Sequence, residues 1–264
     1  MLPLPTSAPT GCATSSPTAY DRIRSIRRQL RSLRYVDTPS RQTLDSSVPA
    51  PCLAAGARLA ERDGHTVTAH YGSTPGEIAA CMKSVGLADR SDLGTLELRA
   101  ATSLLDRALS ARLGDPPVAP GAARRMRDVW YLRLDARRTL LVGTHAALSS
   151  GPMIGKGADQ GRLSCKDIGP SVAIISVIGP RAGRLMAAAD LPDDLAIGAI
   201  GRDAGDPAVI AILRESQRRI LVLVRAAAID ALWTRLLAAG DPLGAAFVGC
   251  DALSLLGAAP PEAD

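Results

Sequence analysis

One order of predicted elements occurs twice along this chain of 264 residues. The strand TLELR leads into a helix with apolar residues at helical spacing, and then into a hairpin of VWYLRL and TLLVG joined by DARR. About eighty residues later the strand VAIISVIG, the helix PRAGRLMAAA and a hairpin of AVIAIL and RILVLV across RESQR repeat the order. Because hairpins pair neighbouring strands antiparallel, the repetition predicts an α+β domain of two pseudo-repeated strand–helix–hairpin halves.

Other elements flank this repeated order. Thr74, Pro75 and Glu77 are typical of a helix start, with Thr74 as the cap and Gly86 as the residue that ends the helix. Near the end of the chain, AAIDALWTRLLAAG predicts a helix, AAFVG a short strand and DALSLL a last helix. We therefore predict a folded domain over residues 50–258 and a tail over 259–264.

Residues 1–49 are predicted to form a disordered basic arm, because they are rich in Ser, Pro and Thr. They hold seven arginines against three aspartates, so this arm carries most of the net charge of +5. Within it DRIRSIRRQLRSLR has apolar residues at helical spacing, which fits a solvated or non-native arm as well as one that binds a membrane surface or nucleic acid. Aromatic residues make up 3% of the chain, which weighs against a base-stacking nucleic-acid platform.

The five cysteines are far apart and form no CxxC pair. This pattern argues against a disulfide framework or a zinc ribbon and favours a reducing compartment, so we expect a cytoplasmic protein. The longest apolar runs, such as AIISVI, are too short to span a bilayer, and the N-terminus lacks a continuous apolar signal-peptide core.

No single short motif in the sequence identifies a catalytic activity. GPMIGKG at 151–157 has one residue too few between its glycines for a phosphate-binding loop, and Gly157 stands where Ser or Thr would hold magnesium. His65 and His70 lie five residues apart, so they could belong to a metal or catalytic site, or they could be surface or hydrogen-bonded residues. Cys165 beside Lys166 could be a reactive thiol or a structural cysteine.

Four segments in order resemble the glycine-cleavage T-protein (aminomethyltransferase) family. In HYGSTPGEIAACMKSVGLADRSDLGTLELRA, the family's Asp-x-Ser-x-x-Gly turn is matched by Asp89, Ser91 and Gly94, while Asp92 replaces the usual histidine. The other three segments are VWYLRLDARRTLLVG, SVAIISVIGPRAGRLM and AAIDALWTRLLAAGDPLGAAFVGCDALSLL. The resemblance covers residues 50–258 and implies two related halves around a tetrahydrofolate pocket, without the family's C-terminal barrel.

The resemblance also implies candidate site residues. Asp128 matches one carboxylate of the family's Gly-Gly-x-x-Asp-Asp turn and would be the catalytic residue, although it could equally be a surface partner of nearby arginines. Arg214 and Glu215 stand near the family's folate-binding Arg and Glu, in a segment that could also be a solvated hairpin tip. The family's turn glycines and pterin-binding glutamate are missing, so the resemblance implies an eroded folate pocket.

Three functions are compatible with these features. The first is a subunit similar to the gamma subunit of heterotetrameric sarcosine oxidase, which works with larger partner subunits in tetrahydrofolate-linked one-carbon metabolism. The second is an autonomous folate-dependent aminomethyltransferase, which requires Asp128 and Arg214 to line one open pocket. The third is a non-enzymatic interaction protein that retains the fold and binds an acidic partner through its arginine arm.

Overall fold

The computed structural model describes residues 48–114, 116–149, 162–203 and 205–258. The arm up to residue 47, the GPMIGKG segment and the tail after 258 lie outside these ranges, so the predictions made for them and for the domain boundaries stay predictions. Within the described ranges, no helix is both long and apolar enough to cross a membrane.

Seven α-helices lie in the described residues: α1 Ala50–Ala54, α2 Thr74–Lys83, α3 Thr102–Leu113, α4 His145–Ser149, α5 Ala182–Ala188, α6 Ile229–Gly240 and α7 Cys250–Ala258. The strands are β1 Arg58–Arg62, β2 His65–His70, β3 Val85–Asp89, β4 Leu93–Arg99, β5 Ala122–Met126, β6 Val129–Asp135, β7 Arg138–Thr144, β8 Ser164–Asp167, β9 Val172–Ile178, β10 Ile200–Gly201, β11 Val209–Ser216, β12 Arg219–Arg225 and β13 Ala245–Phe247.

The strands form three sheets. A five-stranded sheet has the order β5-β6-β7-β4-β8, a six-stranded sheet has the order β10-β11-β12-β9-β3-β13, and β1 pairs with β2 alone. All described pairs are antiparallel except β13 with β3, which is parallel. The mixed α and β composition confirms the coarse fold class that the sequence predicts, and the described residues form no closed barrel.

The two large sheets share a chain order over four strands. In one sheet a strand (β4) is followed by helix α3, a short strand (β5) and a hairpin (β6–β7) that returns beside β4. In the other, β9 is followed by helix α5, the short strand β10 and a hairpin (β11–β12) that returns beside β9. The outer strands β5 and β10 are also adjacent at their ends, through a bridge between Ala122 and Ala199.

The core lies in three layers around the two sheets. Apolar residues of β6 and β7 pack against those of β9, β11 and β12, so the sheets bury one face against each other. On its opposite face the six-stranded sheet packs against α5 and α6, and the five-stranded sheet packs against α3. The interior of the described residues is therefore mainly aliphatic.

Two local predictions about helix α2 are wrong. The cap of α2 is Ser73, not Thr74, and its hydroxyl accepts from the backbone N–H of Gly76 at 3.2 Å. Gly86 does not end this helix, because α2 ends at Lys83 and Gly86 lies inside the unpredicted strand β3. That position excludes a larger residue, since a Cβ there would lie 2.5 Å from the Cys81 sulfur.

Candidate functional site

The apolar layer between the two sheets ends in polar side chains. Ser176 lies two residues after buried Ile174 on β9, and Arg219 lies two residues before buried Leu221 on β12, so both point to the inter-sheet face. With side chains from the β3–β4 turn, β6 and β11 they form what we call the inter-sheet polar cluster. Its members are Arg90, Asp92, Trp130, Ser176, Glu215 and Arg219.

Arg90 is held by two elements. Its guanidinium donates to both carboxylate oxygens of Asp92, at 2.8 and 2.9 Å, and to the hydroxyl of Ser176 at 3.2 Å. Burial opposes the charge of Arg90, but the Asp92 carboxylate outweighs that effect and raises the pKa of Arg90 above its ordinary value. The charge at this turn is thereby neutralised within the chain itself.

Asp89 precedes this turn and is buried separately. The hydroxyl of Ser91 donates to it at 2.9 Å, and that of Thr68 on β2 does so at 3.5 Å. Burial raises the pKa of Asp89 to about 6, because the charged carboxylate is poorly solvated there.

A hydrogen bond joins the two sheets within the inter-sheet polar cluster. The indole N–H of Trp130, on β6, donates to Oε1 of Glu215, on β11, at 2.7 Å. The second carboxylate oxygen, Oε2, is buried and has no hydrogen-bond partner among the described residues. Glu215 therefore has an unused acceptor at the junction of the sheets.

Arg219 is the least constrained charge of the cluster. It is half-buried, and its guanidinium makes no hydrogen bond or ion pair with any part of the chain that the structure describes. Burial is the main reason that the pKa of Arg219 is lowered, and the nearby charges of Arg90 and Arg125 lower it further, against the opposite effect of Glu215.

The structure separates the residues that the sequence predicts for a folate site. Asp128 lies in the β5–β6 turn with its side chain 76% exposed, and its carboxylate lies 3.9 Å from the guanidinium of Arg125. Arg214 donates to the backbone carbonyls of Asp193 at 2.8 Å and Gln217 at 3.1 Å. Only Glu215 belongs to the inter-sheet polar cluster. The roles assigned to these three residues stay predictions.

The described residues form two surface clefts, of which one contains a predicted site residue, Arg214. One of about 210 Å³ is lined by Arg214, Gln217 and residues 193–197, and Asp128 does not line it. The other, of about 300 Å³, is lined by Ala55, Ser73, Gly76, Ala246 and three larger side chains, Tyr71, Glu77 and Phe247. Neither cleft brings Asp128 and Arg214 together, which the reading as an autonomous enzyme requires.

The histidines do not form a metal centre in the described residues, where no cluster of three or more metal-binding side chains occurs. The ring of His65 instead stacks on that of His145, with centroids 3.4 Å apart. His70 accepts a hydrogen bond from the backbone N–H of Gly72 at 2.9 Å. Cys165 is exposed, and its pKa is raised, first by desolvation and then by Asp167, so it lacks the activation that a reactive thiol needs.

The sequence prediction missed most of the inter-sheet polar cluster. One signal was available: Ser176 is the only polar residue within AIISVI, and a polar residue in a buried strand needs a partner. Arg90 and Arg219 gave no comparable signal, because arginines at a turn and at a strand end are ordinarily solvated.

The comparisons with known proteins agree with this architecture. No protein-family model and no curated protein matches the sequence. Among solved structures, the chain is similar to glycine cleavage system aminomethyltransferase T from Bartonella henselae, with a TM-score of 0.63 and 20% identity over 76% of this chain and 58% of that one. It is also similar to heterotetrameric sarcosine oxidase from Corynebacterium sp. U-96, with a TM-score of 0.50 and 18% identity over 66% of this chain and 93% of that one.

These similarities show the fold that the sequence resemblance predicts, that of the aminomethyltransferases and of a sarcosine oxidase chain. The chain matches only 58% of the length of the aminomethyltransferase.

Proposed function

We propose that the chain is a subunit similar to the gamma subunit of sarcosine oxidase, that it acts with larger partner subunits in tetrahydrofolate-linked one-carbon metabolism, and that its own folate pocket is eroded. The match to nearly the whole length of one chain of a heterotetrameric sarcosine oxidase supports the subunit role. We further propose that the two sheets are related halves, which their common strand order supports. The isolated cysteines favour a cytoplasmic location.

One observation carries the proposal of an eroded pocket. The family resemblance implies a ligand pocket between two halves, and here the chain's own side chains bind one another at the junction of the sheets. Arg90 donates hydrogen bonds to Asp92 and Ser176, and Trp130 donates one to Glu215. A folate ring would have to break these hydrogen bonds to enter, at a cost that weakens its binding.

Calorimetric titration of the full chain with 5-formyltetrahydrofolate tests this proposal. We expect no binding heat up to millimolar ligand, and no difference between the original chain and an Asp128→Ala variant. Asp135→Ala is the matched control, because Asp135 is an exposed aspartate at the next hairpin turn. Micromolar binding that Asp128→Ala weakens tenfold or more, and Asp135→Ala does not, would overturn the eroded pocket and favour an autonomous aminomethyltransferase.

The subunit role has a separate test. Purification of the tagged full chain from its native host should yield a stoichiometric complex with larger subunits that carry a flavin and oxidise sarcosine. A chain that elutes alone, or with partners that neither carry a flavin nor act on sarcosine, would refute the role and favour a non-enzymatic interaction protein.

A further inference from the structure

The β1–β2 hairpin pairs with neither large sheet, so its side chains must attach it to the rest of the molecule. A stack of two histidines attaches its tip. The ring of His65, at the start of β2, lies against that of His145, at the start of α4, with centroids 3.4 Å apart and an angle of 13° between the ring planes. Further along β2, Val67 and Ala69 are buried. A hairpin that lifts from the molecule would therefore expose apolar side chains.

The ring of His145 is held in place by its surroundings. A Cβ on Gly94 would lie 3.0 Å from Nδ1 of His145, so the ring lies directly against the backbone of β4. Its Nε2 lies 3.4 Å from the backbone carbonyl oxygen of Ser91, in the β3–β4 turn. The residue His65, in contrast, is exposed. Repulsion between the two rings would therefore displace His65, and the hairpin tip with it.

The charged groups around the stack are paired with one another or bonded elsewhere. Arg62 lies directly across β1–β2 from His65 and forms an ion pair with Asp251 of α7. In the β3–β4 turn, Arg90 and Asp92 bind each other. Two further carboxylates are Asp63, exposed in the hairpin turn, and Asp89, which accepts hydrogen bonds from Ser91 and Thr68. Within the part of the chain that the structure describes, no carboxylate forms an ion pair with either imidazole.

We propose that the stack of His65 on His145 is a pH-sensitive contact, which keeps the hairpin tip on α4 near neutral pH and releases it in mild acid. Histidine is the side chain whose charge ordinarily changes between pH 5 and 8. Neutral imidazoles can stack, whereas two positively charged rings in contact repel each other. Because no carboxylate compensates the second positive charge, the tip separates from α4 when both rings are protonated. This device goes beyond the proposed function and does not depend on it.

Hydrogen exchange of the full chain, followed by mass spectrometry, tests this proposal. Protection factors of the backbone amides are compared at pH 7.5 and pH 5, after correction for the intrinsic exchange rate at each pH. We expect the amides of residues 58–70 to lose protection at least about tenfold at pH 5, because local opening of the hairpin becomes easier. The amides of β12, a central strand of the six-stranded sheet, should keep their protection.

Since the chain has only three histidines, variants can separate the stack from other effects of acid. His65→Phe keeps an aromatic ring that carries no charge, so the hairpin's protection at the two pH values should agree within about twofold. His65→Ala removes the ring and should give low protection at both pH values. His70→Gln is the matched control on the same strand, because His70 accepts a hydrogen bond from Gly72 outside the stack and glutamine keeps an acceptor. This control should lose protection at pH 5 as the original chain does.

Four results would overturn the proposal. The first is equal protection of the hairpin at both pH values in the original chain. The second is a parallel loss in β12, which would show that acid opens the whole domain. The third is a loss at pH 5 that persists in His65→Phe or disappears in His70→Gln. The fourth is a further loss at pH 5 in His65→Ala, which would show that another group releases the hairpin; this variant decides the question if His65→Phe is itself poorly protected at pH 7.5.

Discussion

The two large sheets have a common strand order, but they hold their helices in different ways. The outer face of the six-stranded sheet packs on α5 and α6 through an extended apolar cluster that contains Trp233 and Leu185. The outer face of the five-stranded sheet packs on α3 through a smaller apolar cluster and through an ion pair between Arg133 and Asp106, whose Nη1 and Oδ1 atoms are 2.7 Å apart. The six-stranded layer also has an ion pair, between Arg235 of α6 and Asp203 at 3.1 Å, but its apolar cluster is much the larger of the two. The same topology is thus stabilised mainly by apolar packing in one layer and to a greater extent by charge in the other.

Because of this difference, we expect the two layers to respond differently to mutation and to pH. Loss of apolar volume should be most damaging where the helices pack on the six-stranded sheet, since the tightly packed interior cannot fill the resulting cavity. Loss of a charged group should be most damaging where an ion pair attaches α3. The residues between the sheets come from both of them and pack against each other.

Trp233→Ala should have the largest effect on stability. Trp233 is fully buried, stacks on Phe247 with ring centroids 5.3 Å apart, and contributes the largest of the fully buried side chains. We expect the free energy of unfolding to fall by about 3–5 kcal/mol, measured by urea denaturation.

Trp233→Phe is the matched control for this prediction. The indole N–H of Trp233 has no hydrogen-bond partner among the described residues, so its removal also removes an unsatisfied buried donor. The Phe variant should therefore lose less than about 1.5 kcal/mol. Equal losses in the Ala and Phe variants would contradict the assignment of Trp233 to apolar packing.

The second prediction concerns the ion pair of the five-stranded sheet. Arg133 is 1% exposed, whereas the side chain of Asp106 is 38% exposed. Asp106→Asn leaves a buried guanidinium without its counter-charge, so we expect a loss of about 2–3 kcal/mol in urea denaturation. Arg133→Met removes the buried charge, but it also removes the donors to the backbone carbonyls of Asp135 and Ala136 at 2.8 and 2.7 Å, so it should cost about 2–4 kcal/mol.

The cost of Asp106→Asn is the decisive result, because this variant leaves the hydrogen bonds of Arg133 to the β6–β7 turn intact. If Asp106→Asn costs less than about 0.5 kcal/mol, the ion pair does not attach α3 by charge. The helices would then pack on both sheets mainly through apolar contacts.

The sequence alone predicts the central strands and the packed helices of both layers, because these elements have clear apolar periodicity. It predicts the β6–β7 and β11–β12 hairpins and the buried face of α3, which the structure confirms. It misses β3, because VGLAD is short and buried on both faces and its glycine reads as a helix stop. It also misses the β1–β2 hairpin, which joins neither large sheet.

The candidate site was less predictable than the fold for a physical reason. The members of the inter-sheet polar cluster come from the β3–β4 turn and from strands β6, β9, β11 and β12, so no local spacing records their proximity. Glu215 was the only member predicted from the sequence as a site residue, and its bond to Trp130 spans 85 positions of the chain. Such contacts depend on how the two sheets pack against each other. The apolar periodicity of each strand or helix does not determine that packing.

The smallest expected effect is a difference in how the stability contributions of two buried carboxyl groups, one in each sheet, depend on pH. Asp89 on β3 has a pKa raised by burial to about 6, whereas Glu97 on β4 has a lowered pKa because hydrogen bonds from Arg99 and Arg138 outweigh its burial. A raised carboxyl pKa means that the folded state binds a proton between about pH 6 and pH 4 that the unfolded chain does not bind. The contribution of Asp89 to stability therefore rises as the pH falls through this window. The contribution of Glu97 is present above its ordinary pKa and is lost as the pH falls below it.

Asp89→Asn should remove the first of these dependences. Asparagine keeps an oxygen acceptor for Ser91 without a buried charge, so the variant should be about 1–2 kcal/mol more stable than the original chain at pH 7.5. Urea denaturation at pH 7.5, 6 and 5 should show this gap closing as the original chain takes up its proton. Glu97→Gln is the matched control in the other sheet, and it should be less stable than the original chain across the same range, because its charge-assisted hydrogen bonds are lost. Parallel pH curves for Asp89→Asn and the original chain would show that Asp89 is solvated, and the two sheets would then not differ in their response to acid.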